Sequence, residues 1–198
     1  MTILYDIDKS LYVNITNKCP CSCVFCIRKE SDTVGGSESL WLSQEPDFEM
    51  VKKEFEKKNL DDYDEVVFCG YGEPLERIEL VAQICDYLRG ISDIKLRLNT
   101  NGLSDLIHGK KTAKLLAGKL DTISISLNAP DAKSYNQVTQ PKFGEKAFSA
   151  MLSFAKNCKE LMSDVRFSVV DVISDEQIQR CQDISDEMGI PLRVRKKQ

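Results

Sequence analysis

The chain has 198 residues, 42% of them hydrophobic, a formal net charge of −4 and a pI near 5.2. This size supports one sizeable core, so we predict a single domain over residues 1–198. The acidic balance gives no electrostatic reason to expect a nucleic acid or an anionic membrane as partner. No apolar run approaches the roughly 20 residues that span a bilayer, and no signal peptide is evident, so we expect a cytoplasmic location.

Short runs rich in β-branched and aromatic residues alternate with longer segments of helical periodicity. The short runs predict six strands, at Leu11–Thr16, Glu65–Gly70, Lys95–Thr100, Thr122–Leu127, Val165–Asp171 and Pro191–Arg195. Apolar residues three and four positions apart predict five helices, near Asp47–Asn59, Glu76–Gly90, Lys111–Lys119, Glu145–Leu161 and Asp175–Met188. Strands that alternate with helices imply right-handed βαβ crossovers and a parallel sheet.

Several of these strands alternate polar and apolar residues, whereas parallel strands buried on both faces are normally apolar throughout. In the fourth predicted strand, Ile123 and Ile125 would face the helices while Ser124 and Ser126 face the other way. A curved sheet with helices outside and a polar, ligand-lined inner face explains the pattern. We therefore predict an α/β fold, an open partial (βα)6 barrel with its chemistry at the C-terminal ends of the strands.

Four of the eight cysteines crowd into one segment after the first predicted strand, Cys19-Pro-Cys-Ser-Cys-Val-Phe-Cys26. Cys19, Cys23 and Cys26 have the spacing C-x3-C-x2-C, which lets three thiolates converge on one inorganic centre. A structural zinc site needs four protein ligands, and the only histidine, His108, lies far along the chain. The residues favour an iron–sulfur cluster with three cysteine ligands. Cys21 is interpreted as a bystander, and a zinc site stays open as an alternative.

The cysteine motif, with Phe25 at an aromatic position, resembles that of the radical S-adenosylmethionine (SAM) superfamily. Three further motifs follow in that family's order. Gly70-Tyr-Gly-Glu-Pro74 resembles the glycine–glutamate motif, although Tyr71 separates the usual paired glycines. Asn99-Thr-Asn-Gly102 resembles the Thr-Asn-Gly turn, and Ser124-Ile-Ser-Leu-Asn128 resembles the strand that contacts ribose and the methionine carboxylate. The segment NITNKCPCSCVFCIRKESDTVGG also resembles a small subgroup, the TatD-associated radical SAM proteins.

This resemblance implies one radical SAM core domain with a [4Fe–4S] cluster and SAM as cofactors. Cys19, Cys23 and Cys26 would be the catalytic metal ligands, and one iron would stay open for the amine and carboxylate of methionine. Cleavage would give methionine and a 5′-deoxyadenosyl radical that abstracts a substrate hydrogen. Glu73 would accept the methionine ammonium. The implied SAM contacts are Phe25, Gly70, Gly72, Glu73, Asn99, Ser126 and Asn128.

The sequence says less about the substrate than about the cofactors. The cavity would be cationic if four arginines of the strands face inward, namely Arg97, Arg166, Arg193 and Arg195. We therefore hypothesise a small substrate that carries a carboxylate or phosphate. The family also implies a flavodoxin- or ferredoxin-type electron donor. Two alternatives stay open: a glycyl-radical activating enzyme that acts on a partner protein, and a non-catalytic iron–sulfur or zinc binding protein.

Overall fold

The computed structural model describes residues 1–197, in which seven strands form one sheet in chain order. They are β1 (Leu4–Ile7), β2 (Ser10–Val13), β3 (Glu65–Phe68), β4 (Lys95–Thr100), β5 (Thr122–Ser126), β6 (Val165–Val170) and β7 (Leu192–Arg195). β1 and β2 form an antiparallel hairpin, and each neighbouring pair from β2 to β7 is parallel. The parallel strands therefore bring their carboxyl ends to one edge of the sheet.

Six α-helices connect or follow the strands: α1 (Phe48–Phe55), α2 (Ile78–Arg89), α3 (Ser104–His108), α4 (Ala132–Thr139), α5 (Lys146–Leu161) and α6 (Asp175–Met188). Local chemistry sets their ends. Asp47 caps α1 by accepting from the Met50 amide, Ser174 and Gln177 form a capping box on α6, and Gly189 ends α6 with φ 59°. Within residues 1–197, no helix is both long enough and apolar enough to cross a membrane.

The sheet has one apolar face and one polar face. Leu98, Ile123 and Phe167 are fully buried in the core that the helices cover. The opposite side, which we call the polar face, carries the alternate residues of the parallel strands, which are polar except for the buried Val67 and Val170: Tyr12, Arg97, Asn99, Thr122, Ser124, Ser126, Arg166, Ser168, Arg193 and Arg195. The alternation predicted from the sequence is therefore confirmed, with helices on the apolar side.

All six predicted strands are present, but the hairpin strand β1 was not predicted. Its loop is only Asp8-Lys9, between the paired residues Ile7 and Ser10. Asp8 has φ 51°, a left-handed conformation that Asp adopts more readily than most residues. The sheet therefore has one antiparallel edge strand beyond the six strands expected.

The helix predicted at Lys111–Lys119 is wrong. Only a 3-10 turn, Ala113–Leu115, lies there, and the α-helix is instead α3. The Asp105 carboxylate accepts from the Thr112 amide at 2.8 Å and from its hydroxyl at 2.7 Å, and Gly118 has φ 73°. The Asp105 contacts hold the start of the predicted segment in a non-helical conformation, and the positive φ of Gly118 is incompatible with a helix near its end. Helix α4 was not predicted either.

Candidate functional site

The loops after β2, β3 and β4 meet at the carboxyl edge of the sheet. The Glu73 amide, after β3, donates to the Lys18 carbonyl at 2.8 Å, and the Asn101 amide, after β4, donates to Glu73 Oε2 at 2.8 Å. The Asn101 side-chain amide lies 4.0 Å from Cys19 Sγ. These contacts bring three of the motifs singled out in the sequence to one place.

The segment 19–26, which we call the cysteine loop, is held against the end of α4. The Val24 amide donates to the Val138 carbonyl at 2.9 Å, and the Lys142 amide donates to the Pro20 carbonyl at 2.8 Å. Cys21 forms an isolated bridge with Pro141. The loop is therefore fixed by its backbone, which leaves its thiols free for other contacts.

Three of the four thiols in the cysteine loop shift one another's pKa. The Cys21 thiol hydrogen-bonds to those of Cys19 and Cys23, which lowers the pKa of Cys19 and Cys23 and raises that of Cys21. Burial raises the pKa of Cys26, which lies in electrostatic range of Cys19 and Cys23. The interpretation of Cys21 as a bystander in the cysteine loop stays a prediction, and these effects place its thiol beside those of Cys19 and Cys23.

Two cations missed by the sequence reasoning flank these thiols. The Arg28 guanidinium donates to the carbonyls of Cys21 and Tyr71, both at 3.3 Å, and so links the cysteine loop to the loop after β3. Lys29 Nζ donates to the Cys23 carbonyl at 2.8 Å. Both positive charges favour the thiolate form of nearby cysteines, which is the form that binds metal.

No group of three His, Cys, Asp or Glu side chains among residues 1–197 is close enough to hold one metal ion.

Glu73 is a buried carboxylate with 4% exposure and no ion pair within residues 1–197. Its Oε1 accepts from the Thr100 hydroxyl at 2.6 Å and from the Leu75 amide at 3.0 Å. Burial raises the pKa of Glu73 to about 7, against the effect of these hydrogen bonds. The carboxylate caps the turn Pro74–Arg77 but is buried. A cation that binds it would therefore meet a carboxylate that is already desolvated and held in position.

Gly70 and Gly72 are required by close packing. A Cβ on Gly70 would lie 2.2 Å from Asn14 Oδ1, and a Cβ on Gly72 would lie 2.2 Å from the Thr16 carbonyl oxygen. Only glycine allows the loop after β3 to approach the end of β2 and the residues before the cysteine loop this closely.

Asn128, two residues after β5, is buried and has φ 57°. Its Oδ1 has no hydrogen-bond partner within residues 1–197, and the only other such buried side-chain atom is Nδ2 of Asn157 on α5. A buried acceptor without a protein partner costs free energy unless a water or a ligand supplies the hydrogen bond. Ser126, on the same strand end, is half-buried on the polar face beside Ser168.

The remaining predicted contacts are placed differently. Asn99 lies on the polar face, where its Oδ1 accepts from Arg97 at 3.1 Å and its side chain hydrogen-bonds to the Cys69 thiol. Phe25 is half-buried within the cysteine loop. From the Asn99–Gly102 turn it is instead Thr100 and Asn101 that contact Glu73. The Thr-Asn-Gly motif identified this turn but did not show which of its residues contact Glu73.

The model of the Radical SAM superfamily matches residues 13–187 of the chain. A search of the curated proteins finds no match. Among solved structures, SuiB of Streptococcus suis bound to precursor peptide SuiA is 20% identical with a TM-score of 0.71, over 98% of this chain and 40% of that one.

Two further structures have a similar fold. A radical SAM methyltransferase from Sphaerobacter thermophilus is 15% identical with a TM-score of 0.60, over 98% of this chain and 68% of that one. anSMEcpe with bound AdoMet is 19% identical with a TM-score of 0.63, over 94% of this chain and 50% of that one. The chain thus spans 40% of SuiB and half of anSMEcpe. Since the family model covers most of its length, the chain belongs to the radical SAM superfamily.

Proposed function

We propose that the chain is an enzyme that binds a [4Fe–4S] cluster and SAM at the carboxyl edge of the sheet and abstracts hydrogen from a substrate. When bound, these groups supply a one-electron cleavage of SAM that yields methionine and a 5′-deoxyadenosyl radical. The observation that carries the proposal is the buried Glu73 carboxylate, which has three protein donors and no cation. An ammonium group is the partner that this carboxylate lacks.

The proposed cluster ligands are Cys19, Cys23 and Cys26. Their support is the lowered pKa of Cys19 and Cys23 and the adjacent charges of Arg28 and Lys29, since thiolates are the ligands of iron–sulfur clusters. The Cys21 thiol is the first cause of the lowered pKa of both Cys19 and Cys23, which supports a positioning role. We propose that Cys21 positions its neighbours and is not itself a ligand.

The proposed SAM contacts follow from which polar groups lack a partner. Glu73 would hold the ammonium of SAM, and the orphan Oδ1 of Asn128 would accept a hydroxyl or ammonium hydrogen. Ser126 lies close to Asn128 in sequence and offers a hydroxyl. The remaining proposed contacts, which have weaker support, are Phe25, Gly70, Gly72 and Asn99.

We also propose that the sheet curls into the open partial barrel, as one core domain. Arg195 on β7 lies in electrostatic range of Cys69, which follows β3, and of Tyr12 on β2. Neighbouring strands are about 4.8 Å apart, so a flat sheet would separate β7 from β3 by about 19 Å. Curvature toward the polar face removes this separation and encloses a substrate volume on that face.

Two substrate classes are candidates. The polar face with its arginines favours a small anionic molecule, our first choice. Similar structures carry peptides, namely SuiB with precursor peptide SuiA and anSMEcpe with the Cp18Cys peptide, which favours a peptide as second candidate. An electron donor of the flavodoxin or ferredoxin type completes the proposal. The TatD-associated subgroup remains a proposal that rests on the segment around the cysteine loop.

Anaerobic reconstitution with iron and sulfide, followed by SAM and dithionite, tests this function. We expect 5′-deoxyadenosine from the wild-type protein and none from Cys19→Ala, Cys23→Ala or Cys26→Ala. Cys181→Ala is the matched control, because Cys181 is a buried core residue on α6 and should leave the product unchanged. A reconstituted cluster that yields no 5′-deoxyadenosine would favour the non-catalytic alternative. A glycyl radical formed on a partner protein would favour the activating-enzyme alternative.

A further inference from the structure

Two of the four arginines on the polar face already have acidic partners. Arg97 donates to Glu65 through Nε at 2.9 Å and Nη2 at 2.6 Å. Arg166 donates to Asp164 through Nε at 2.8 Å and Nη2 at 2.7 Å. Both guanidiniums are therefore neutralised in a two-point geometry and do not need an anionic ligand.

Arg193 and Arg195, on β7, have no such partner. Neither takes part in an ion pair within residues 1–197, although the two lysines that follow them both do. Lys196 pairs with Asp171 at 2.9 Å, and Lys197 pairs with Glu30 at 2.8 Å. Asp171 and Glu30 are thus paired with the lysines, and the two arginines are left without an ion-pair partner.

Arg195 is placed where a substrate of the proposed reaction would lie. It is the last residue of β7, at the same carboxyl edge as Glu73 and Asn128. Its guanidinium is in electrostatic range of the Cys69 thiol, which follows β3, and of Tyr12 on β2, both distant from β7 in the strand order. The side chain therefore extends over the polar face.

Arg193 and Arg195 are both exposed residues of the edge strand β7. The pKa of Arg195 is lowered first by desolvation and then by the charges of Arg193 and Arg97, whereas Cys69 and Tyr12 raise it. Arg193 and Arg195 carry like charges without an ion-pair partner, and a bound anion lowers the free energy of such a pair. Ser168, paired in register with Arg193, adds a hydroxyl donor to the same row.

We propose that Arg195, assisted by Arg193, binds a carboxylate or phosphate group of the substrate at the carboxyl edge of the polar face. The inference rests on the proposed function, because it assigns the substrate side of that site. Arg195 and Arg193 are positioned to recognise the oxyanion through two-point hydrogen bonds, while Arg97 and Arg166 are structural members of ion pairs. The substrate class is therefore an oxyanion-bearing molecule held beside Cys69.

Calorimetric titration of the cluster-reconstituted chain with inorganic phosphate and, separately, malonate tests this site. We expect saturable binding of at least one probe, and Arg195→Gln should weaken it by about tenfold or more, as for loss of a hydrogen bond to a charged group. Arg193→Gln should weaken it less. Arg166→Gln, a matched control on the same face, should bind like the wild type. The stronger probe distinguishes a phosphate from a carboxylate ligand.

Arg195→Lys protects the test against a folding defect, since it keeps the charge and should bind more tightly than Arg195→Gln. No saturable binding, or equal losses for Arg195→Gln and Arg166→Gln, would overturn the inference. The wild-type protein is assayed in parallel for 5′-deoxyadenosine. Formation of 5′-deoxyadenosine without anion binding would overturn this inference and leave the proposed function standing. Anion binding at Arg195 in a protein that forms no cluster and no 5′-deoxyadenosine would overturn the proposed function.

Discussion

The hydroxyl of Thr100 donates a 2.6 Å hydrogen bond to Oε1 of Glu73, and both residues are buried. This bond joins the end of β4 to the loop after β3. Asn101 strengthens the link with its amide on Oε2 and places its side chain 4.0 Å from Cys19 Sγ. Through Thr100 and Asn101, the Glu73 carboxylate therefore links the loop after β3, the turn after β4 and the cysteine loop.

The first prediction concerns pH. The folded pKa of Glu73 is about 7, above its ordinary 4.5, so folding favours the protonated form. The free energy of unfolding of the wild-type protein, relative to Glu73→Gln, should therefore be highest below pH 4.5 and fall by up to about 3 kcal/mol as the pH rises to 7. Denaturant unfolding of both proteins across this range measures the difference, and a pH-independent difference would contradict the burial argument.

The second prediction concerns SAM affinity. Glu73→Gln removes the charge that would hold the ammonium, so the dissociation constant for SAM should rise about tenfold or more. Glu76→Gln is the matched control in the same turn, because Glu76 makes none of the contacts with Thr100 and Asn101. Equilibrium dialysis with reconstituted protein measures both. Equal affinities for the two variants would remove Glu73 from the SAM site.

The third prediction separates ligand binding from backbone strain at Asn128. Asn128→Gly accepts φ 57° and deletes the unpartnered Oδ1, so stability should change by less than about 1 kcal/mol. SAM affinity should nevertheless fall about five- to tenfold, as for loss of one hydrogen bond. Asn128→Ala should lose the same affinity and additional stability, because alanine is strained at positive φ. Unchanged SAM affinity in both variants would mean that Oδ1 serves no ligand.

The fourth prediction concerns the approach of two loops. Gly72→Ala would place a Cβ 2.2 Å from the Thr16 carbonyl and 2.6 Å from the Lys18 carbonyl, so it should destabilise the fold by more than about 2 kcal/mol. Gly90→Ala is the control, since Gly90 has φ −72° and its nearest contact would be 3.3 Å, and it should cost less than about 1 kcal/mol. Thermal unfolding of the two variants gives the comparison. Similar melting temperatures would show that the loops are not tightly packed.

Much of the fold could be predicted because its elements are locally encoded. Strand β4 and helix α6 have the predicted bounds, since alternation and a capping box mark them in the sequence. Strand β1 has four residues and a two-residue loop without Asn-Gly, so its signal was weak. The segment Lys111–Lys119 has helical spacing, but its backbone is bound by the distant Asp105 side chain.

The motifs of the candidate site could be recognised in the sequence, but the contacts between its residues could not. The spacing of the cysteines and the Gly70–Pro74 motif marked segments that the structure brings together at the carboxyl edge of the sheet. The contact of Thr100 with Glu73 spans 27 residues, and the pairing of Arg97 with Glu65 spans 32, so neither is visible in local spacing. The sequence alone therefore could not distinguish the four arginines, whereas the structure pairs Arg97 and Arg166 with acidic residues and leaves Arg193 and Arg195 without an ion pair.

In the proposed site, three thiolates leave one iron free for the methionine end of SAM. Mössbauer spectroscopy of the reconstituted, ⁵⁷Fe-labelled protein, recorded with and without SAM, measures whether that iron binds SAM. We expect SAM to change the signal of one iron site and Cys21→Ala to give the same spectra. If SAM leaves the wild-type spectra unchanged but alters those of Cys21→Ala, then Cys21 occupies the fourth iron. That result would contradict the proposed open iron.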